Sequence, residues 1–525
     1  MQALINATIL TQDAKQPAAE ALAIENGLIL AAGSTEEILS IQSKEKTILD
    51  LQGKTILPGL CDSHIHLGYF SRGLEKVDLT NASRQESLDR IQHAAMNSEQ
   101  GSWILGHGWD QNLWPEGYGD ASLLDSVAPN NPVFLTAKSL HAAWVNTSAM
   151  QEAGITAAAS DPVGGILLRD LGGAPNGVLL ESAVSLVESI IPEPSPSQMA
   201  EMIRKGQEIL WQMGITAIHD FDESLTLEGL LKLKEDLALQ LRVHKNILIK
   251  HLPELIEIGL RGGFGDDLLH LGAIKCFMDG AIGPHTAAVS DPYSGSDNLG
   301  ELLYAEEDLF TIYKQAVDHG FSVATHAIGD RANHALLNVL QKTRAYEKEN
   351  QLIPARHRIE HAQILAKNDL QRFHELNVIA SMQPIHLPMD IHTTDTHLAG
   401  RGVLSFQFIS LLDNAVILIF GSDAPVASPN PFLGMHAAIT RKRTIREECW
   451  HPQERINFSQ ALAAYTIAPA FAAGMENKLG KLTRGHYADL IVLDSNPFTL
   501  PADEIIQCQP IATMVGGNWV YSNLT

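Results

Sequence analysis

The chain has 525 residues, 45% apolar and 19% charged, a globular composition that excludes wholesale disorder. Its length allows several domains, or one large barrel with additions. With 37 Lys+Arg against 61 Asp+Glu the formal net charge is -24, so nucleic acid and anionic membrane are poor partners and a small-molecule substrate is the better expectation.

The first residues, MQALINATILTQDAKQ, lack a basic segment followed by an apolar one, so no signal peptide is read. The most apolar run, Ala415 to Gly421, falls far short of the ~20 residues that span a membrane. Four cysteines without a CxxC pair make no disulfide framework. Asn-x-Ser/Thr triplets at Asn146 and Asn457 are then chance matches, and a soluble cytoplasmic chain is expected. Whether it assembles with copies of itself is not legible, because exposed barrel helices do not declare an interface.

From the N-terminus, Ala21–Leu30 carries two apolar runs around Asn26-Gly27, a hairpin signal. Ile48–Leu57 repeats the pattern around Gln52-Gly53. At the other end, Ala488–Asp494 reads as a strand and Thr513–Tyr521 as a hairpin through Gly516-Gly517-Asn518. Isolated hairpins are marginal in water. Residues 1–57 and 476–525 are therefore expected to combine into one small β-sandwich domain.

Between them, residues 58–475 alternate apolar strands with helix-length segments, the pattern of βα units on a parallel sheet. Eight strands are read: Thr55–Ile65, Gly214–Asp220, Gln240–Ile247, Gly272–Met278, Phe321–Ala327, Arg356–Ala362, Val378–Gln383 and Ala415–Ser422. Amphipathic helices at Met199–Met213 and Glu306–His319 lead into the second and fifth. That is the arithmetic of an α/β (β/α)8 barrel. One interval breaks the spacing, and residues 68–195, rich in Gly, Pro, Trp and Asn, are expected to be a long insertion after strand one, lying over the active site.

The 22 histidines acquire meaning from their positions. Strand one ends in His64-Ile-His66, and residues i and i+2 of a strand face one side, where two imidazoles can converge on one ion. Strand five ends in His326, strand six in Glu360-His361, strand eight in Gly421-Ser-Asp423. A barrel gathers its catalytic groups at those strand ends. Strand four carries Lys275, an odd member, because an ammonium repels cations. Desolvated in a barrel, a lysine becomes a neutral amine. Such an amine can add carbon dioxide, giving a carbamate able to bridge two metals.

The motifs Pro58–Leu67, Ile274–Gly280, His326–Ala332, Arg358–Gln363 and Gly421–Pro425 resemble the amidohydrolase superfamily. More narrowly they resemble its YtcJ-like branch, amidohydrolase family 3, which includes N-substituted formamide deformylases. Gly108–Gln111, Leu124-Asp125, Pro132–Leu135, His141–Asn146 and Gly164-Gly165 of the insertion are similar to that branch too. The resemblance implies a binuclear site in which His64, His66 and Asp423 hold a deeper metal, His326 and His361 an outer one, and a carbamate on Lys275 bridges them. Zinc suits this donor set, at one to two divalent ions per chain. The branch carries a small residue and an arginine where Pro284 and His285 stand, so substrate choice is expected to differ here.

The expected chemistry is hydrolysis of a C–N bond in an amide, formamide or cyclic amide by metal-activated hydroxide, with Asp423 shuttling the proton. Asp330 and Glu360 are candidates for orienting the imidazoles. Trp109, His141, Asp279 and His285 are candidates for touching substrate. Two alternatives stay open. A mononuclear deaminase would place a glutamate a few residues past His326, where Asp330 stands. A non-catalytic barrel would have lost ligands, whereas all six positions are filled.

Overall fold

The computed structural model describes residues 1–398 and 400–524. Ala399 and Thr525, the latter the last residue of the expected 476–525 segment, lie outside the described residues. Eight strands form one parallel sheet in chain order: β1 (Leu60–Ile65), β2 (Ile215–Asp220), β3 (Arg242–Leu248), β4 (Leu269–Phe277), β5 (Val323–Ala327), β6 (Arg358–His361), β7 (Ile379–Met382) and β8 (Leu418–Phe420). The sheet curls so that its two edges meet. Ile65 bridges Ala424 in parallel, Asp423 N donates to His64 O at 2.7 Å, and His66 N donates to Ala424 O at 2.9 Å. Strands enclosed on both faces need apolar residues on both, and every residue of β1, β2 apart from Ala217, β6 and β7 is buried.

The helices between strands bury the stripes that their sequence predicts. Glu306–Asp318 turns Leu309, Tyr313, Ala316 and Val317 inward, and Pro196–Gln212 turns Met199, Ile203 and Leu210 inward. Phe321, Leu336, Leu340, Phe373, Phe408 and Phe420 fill the main core around the sheet. Among the described residues no helix is long and apolar enough to cross a membrane.

The first predicted strand, Thr55–Ile65, is two strands. Thr55–Pro58 leaves the barrel and pairs with Thr8–Leu10 and Leu490–Leu493. Gly59 is the hinge between them: a Cβ there would stand 2.2 Å from Thr216 Oγ1. The two chain ends build a six-stranded sheet and a four-stranded sheet. Leu4, Leu22, Ile24 and Ile29 of the smaller sheet share a core with Ile9, Ile56, Leu490, Val492 and Met514 of the larger. The Asn26-Gly27 hairpin forms, with both residues at positive φ. The Gln52-Gly53 turn also forms, but Thr47–Asp50 and Thr55–Pro58 go to different sheets, so it joins two layers rather than a hairpin.

Contacts unite Met1–Phe70 and Met199–Thr525 in one compact unit, so the terminal sheets do not stand apart from the barrel as a separate domain. The bidentate Arg242–Asp489 pair, only 6% exposed at each partner, and the bond from Thr513 Oγ1 to Trp211 O at 2.6 Å show how tightly they join. The insertion, expected as 68–195, is a second compact unit, Ser71–Gln198. It has a sheet and a core of its own. Six strands run in the order Gly165–Arg169, Pro175–Glu181, Ala142–Val145, Val133–Ala137, Ile104–Trp109, Val77–Asp78, over a core of Trp109, Trp114, Leu124, Leu135 and Trp144.

Candidate metal centre

β1 delivers His64 and His66 to one side of the barrel mouth, with ring centroids 5.7 Å apart. Each is held at Nδ1 by a carboxylate: His64 by Glu360 Oε2 at 2.6 Å, His66 by Asp222 Oδ1 at 3.0 Å. Those bonds leave both Nε2 atoms facing Asp423 Oδ1, at 3.6 and 3.3 Å. Asp423 arrives there because the chain after β8 passes flush against β1. A Cβ on Gly421 would lie 2.4 Å from His64 N, so only glycine admits that approach. Asp62 staples the junction, accepting from His64 N at 3.0 Å, Ser422 N at 3.0 Å and Ser422 Oγ at 2.5 Å.

His326 and His361 come from β5 and β6, with rings 4.6 Å apart and His361 5.2 Å from His64. His361 and Ala362 both adopt positive φ, an uncommon backbone state for non-glycine residues, and it turns the ring inward. His361 Nδ1 meets Gln383 Oε1 at 2.8 Å, and His326 Nε2 meets the Gly280 carbonyl at 3.0 Å. Thus each of the four imidazoles has one nitrogen held by a neighbouring strand, and the second nitrogen of His66 faces Asp423 at 3.3 Å. One donor atom each from His64, His361 and Asp423 lie within 4.8 Å of one another. His66 adjoins this group through Asp423, and His326 through His361.

Lys275 stands beneath them on β4, 2% exposed. Among the described residues no carboxylate lies within ion-pair distance of its Nζ, which sits 4.7 Å from the Phe221 ring and 4.9 Å from that of Phe277. Burial pulls its ammonium down to about 8, against the pull of Glu360 and Asp423. Burial also lowers His64 and His326 to about 4 each and holds His361 well below the usual imidazole range, so these rings are neutral near pH 7. His66 goes the other way. Burial opposes its charge, but bonds to Asp222 and Asp423 outweigh that and lift it to about 9. Burial works against the Asp423 carboxylate, yet the bond from the charged His66 outweighs it and holds Asp423 ionised, well below the usual carboxylate range.

Three neutral imidazoles and the protonated His66, each pre-oriented through one nitrogen, a central carboxylate and an unpartnered buried amine make the donor set of a divalent cation site once His66 gives up its proton, and the residues fit one. Glu360 is fully buried and orients His64. Asp330 does not orient an imidazole: it opens helix Asp330–Glu349 and accepts from Ser290 N at 2.9 Å. Asp279 braces the strand ends, accepting from the N–H groups of Ala288, Ile328 and Gly329, with Oδ1 3.6 Å from His326 Nε2. His285 stacks on Tyr293 and bonds His397 at 2.9 Å. Trp109 is core packing rather than pocket lining: it is fully buried in its own unit, with Nε1 donating to Leu135 O. His141 is exposed and pairs with Glu181 at 2.9 Å.

Sequence reasoning missed Asp222 and Gln383, the partners of His66 and His361. Their placement is the signal that could have found them, since both stand just past the ends of strands β2 and β7.

A model described as "Amidohydrolase family" matches residues 47–521. Protein LONG AFTER FAR-RED 3 of Arabidopsis thaliana is 33% identical over 98% of this chain and 91% of its own, and N-substituted formamide deformylase of Arthrobacter pascens is 28% identical over 98% and 97%. A solved structure of an uncharacterized metal-dependent hydrolase from Pyrococcus furiosus superposes with a TM-score of 0.79 at 28% identity, covering 95% of this chain and all of that one.

Proposed function

The chain belongs to the amidohydrolase family, and from that premise we propose that it hydrolyses a C–N bond in a small amide, formamide or cyclic amide at a two-metal site. His64, His66 and Asp423 would hold the deeper ion and His326 and His361 the outer one, with zinc suited to the set. Lys275 would bridge them as a carbamate. Its neutral amine bonds to the carbon of carbon dioxide and releases one proton, turning an unpartnered buried amine into an anionic ligand.

The observation that carries this reading is the convergence of four oriented imidazoles, one carboxylate and one unpaired lysine at six positions on five strand ends. When bound, the ions supply Lewis acidity and bring the pKa of water towards neutrality. The remaining work falls to the chain's own groups. Asp423, ionised among three imidazoles, takes the proton from the attacking water and returns it to the leaving nitrogen. Glu360, Asp222, Gln383 and the Gly280 carbonyl keep the rings from rotating, so the donor geometry is built before substrate arrives. The products are a carboxylic acid and an amine.

Support for the C–N bond comes from the similarity to the Arthrobacter deformylase. The deaminase alternative loses ground because Asp330, at the expected proton-donor slot, is spent on Ser290 N. The test is to reconstitute the full chain with zinc, manganese or cobalt, measure bound metal, and screen amides, formamides, cyclic amides and lactones for hydrolysis, following amine release where a C–N bond is cut. Absence of bound metal after all three reconstitutions, or turnover of lactones alone, would overturn it.

A further inference from the structure

Beneath the metal centre lies a polar column that the mechanism above leaves idle. Arg358 points into the barrel from β6 and is 2% exposed, one of the largest fully enclosed side chains in the protein. A guanidinium has five N–H donors in a rigid plane, and the acceptors around this one come from four strands. Nε donates to Glu360 Oε1, and Nη2 shares its two N–H groups among Glu360 Oε2 at 3.1 Å, Ser381 Oγ at 2.9 Å and Ser63 O at 2.5 Å. Nη1 donates to His219 Nδ1 at 2.7 Å. Below His219, 2% exposed, follow His244, with ring centroids 4.7 Å apart, and His270, whose Nε2 is 2.9 Å from His244 Nδ1.

We propose that Arg358, seated against His219, is a positioning residue for the metal centre: it locks Glu360 in the one orientation in which His64 presents Nε2 towards Asp423. Glu360 Oε2 is the atom that couples the two. That oxygen receives both Arg358 Nη2 and His64 Nδ1, so the carboxylate cannot rotate away from the imidazole without breaking the fork. Without Arg358, Glu360 would be a lone buried anion free to turn, and His64 could flip between its two nitrogens. His219 has one role in this arrangement. Arginine only donates, so His219 Nδ1 must accept, which requires the neutral Nε2–H tautomer. His219 thereby fixes the far end of the guanidinium plane.

This inference rests on the reading of the site as a metal centre, and its test separates the two. In the full-length protein, zinc affinity is measured by chelator competition, and melting temperatures are taken with and without zinc, for the parent chain and for R358M, R358K, H219L and H219Q. Positioning of an imidazole ligand is typically worth 10- to 100-fold in metal affinity, so R358M should weaken zinc binding by about that factor. R358K keeps the charge but not the planar fork, and should still lose most of it. H219L, which removes the acceptor, should weaken zinc by several-fold, whereas H219Q offers an amide oxygen to Nη1 and should restore near-parental affinity. Variants that melt lower without zinc yet bind zinc as tightly as the parent would make Arg358 a structural staple and overturn the proposal. Should the arginine variants fail to fold, the His219 pair decides: equal zinc affinity in H219L and H219Q overturns it as well. A parent chain that binds no zinc refutes the metal-centre reading itself, a different result from a parent that binds and variants that match it.

Discussion

Asp423→Asn separates the two tasks given to one carboxylate. The substitution suits the backbone: Asp423 has φ +58°, a region that asparagine tolerates nearly as well as any non-glycine residue. The main-chain bond from residue 423 to His64 O is untouched, so barrel closure survives. An amide keeps one oxygen of similar placement 3.3 Å from His66 Nε2 and 3.6 Å from His64 Nε2, but it cannot take up a proton near neutrality. With His64, His66 and the proposed Lys275 ligand untouched, occupancy should fall little. Loss of a general base costs 10²- to 10⁴-fold, about 3–5 kcal/mol of barrier. Steady-state kinetics at matched metal content should therefore show kcat down at least a hundredfold with KM nearly unchanged, and an altered acidic limb of the pH–rate profile. A variant that keeps its kcat at equal occupancy refutes Asp423 as the base.

Three further outcomes follow from the same geometry. Lys275→Ala should lose most bound metal and recover part of it, with activity, on adding acetate or propionate to fill the space; full metal content without any addition would mark Lys275 as a packed lysine only. Zinc affinity should rise with pH from 7 to about 9, because Lys275 near 8 and His66 near 9 must each shed a proton before they can serve as ligands; calorimetry in buffers of different ionisation enthalpy should register proton release, and a flat affinity across that range argues against both assignments. Trp109→Ala should destabilise the Ser71–Gln198 unit by about 3–5 kcal/mol, read as a lower denaturation midpoint, and a negligible shift would contradict its assignment to that unit's core.

Local patterns carried much of the architecture. Apolar runs such as Phe321–Ala327 and Val378–Gln383 are strands because a barrel strand is covered on both faces, and that condition is written in consecutive residues. His64-x-His66 was legible for an equally local reason, the two-residue period of a strand. The hinge at Gly59 was not: Pro58-Gly59 looks like any turn, and only the crowding of Thr216, from a strand far along the chain, makes it the point where the terminal sheet ends and the barrel begins. The strands inside the insertion were not legible, because they are short and glycine-bounded and their pairing partners lie far apart in sequence, as Ile104–Trp109 and Val133–Ala137 do.

At the site, residue types betrayed the ligands but not their aim. Which nitrogen of each imidazole faces the centre depends on Glu360, Asp222, Gln383 and the Gly280 carbonyl, and each of these reaches its histidine from another strand. The sequence by itself determined that six ligand-type side chains would stand at barrel strand ends, because strand period and apolar burial act between near neighbours. Tertiary structure alone decided that those side chains face one another with the right atoms free, because ring orientation is set by hydrogen bonds across the barrel, between residues up to 296 positions apart.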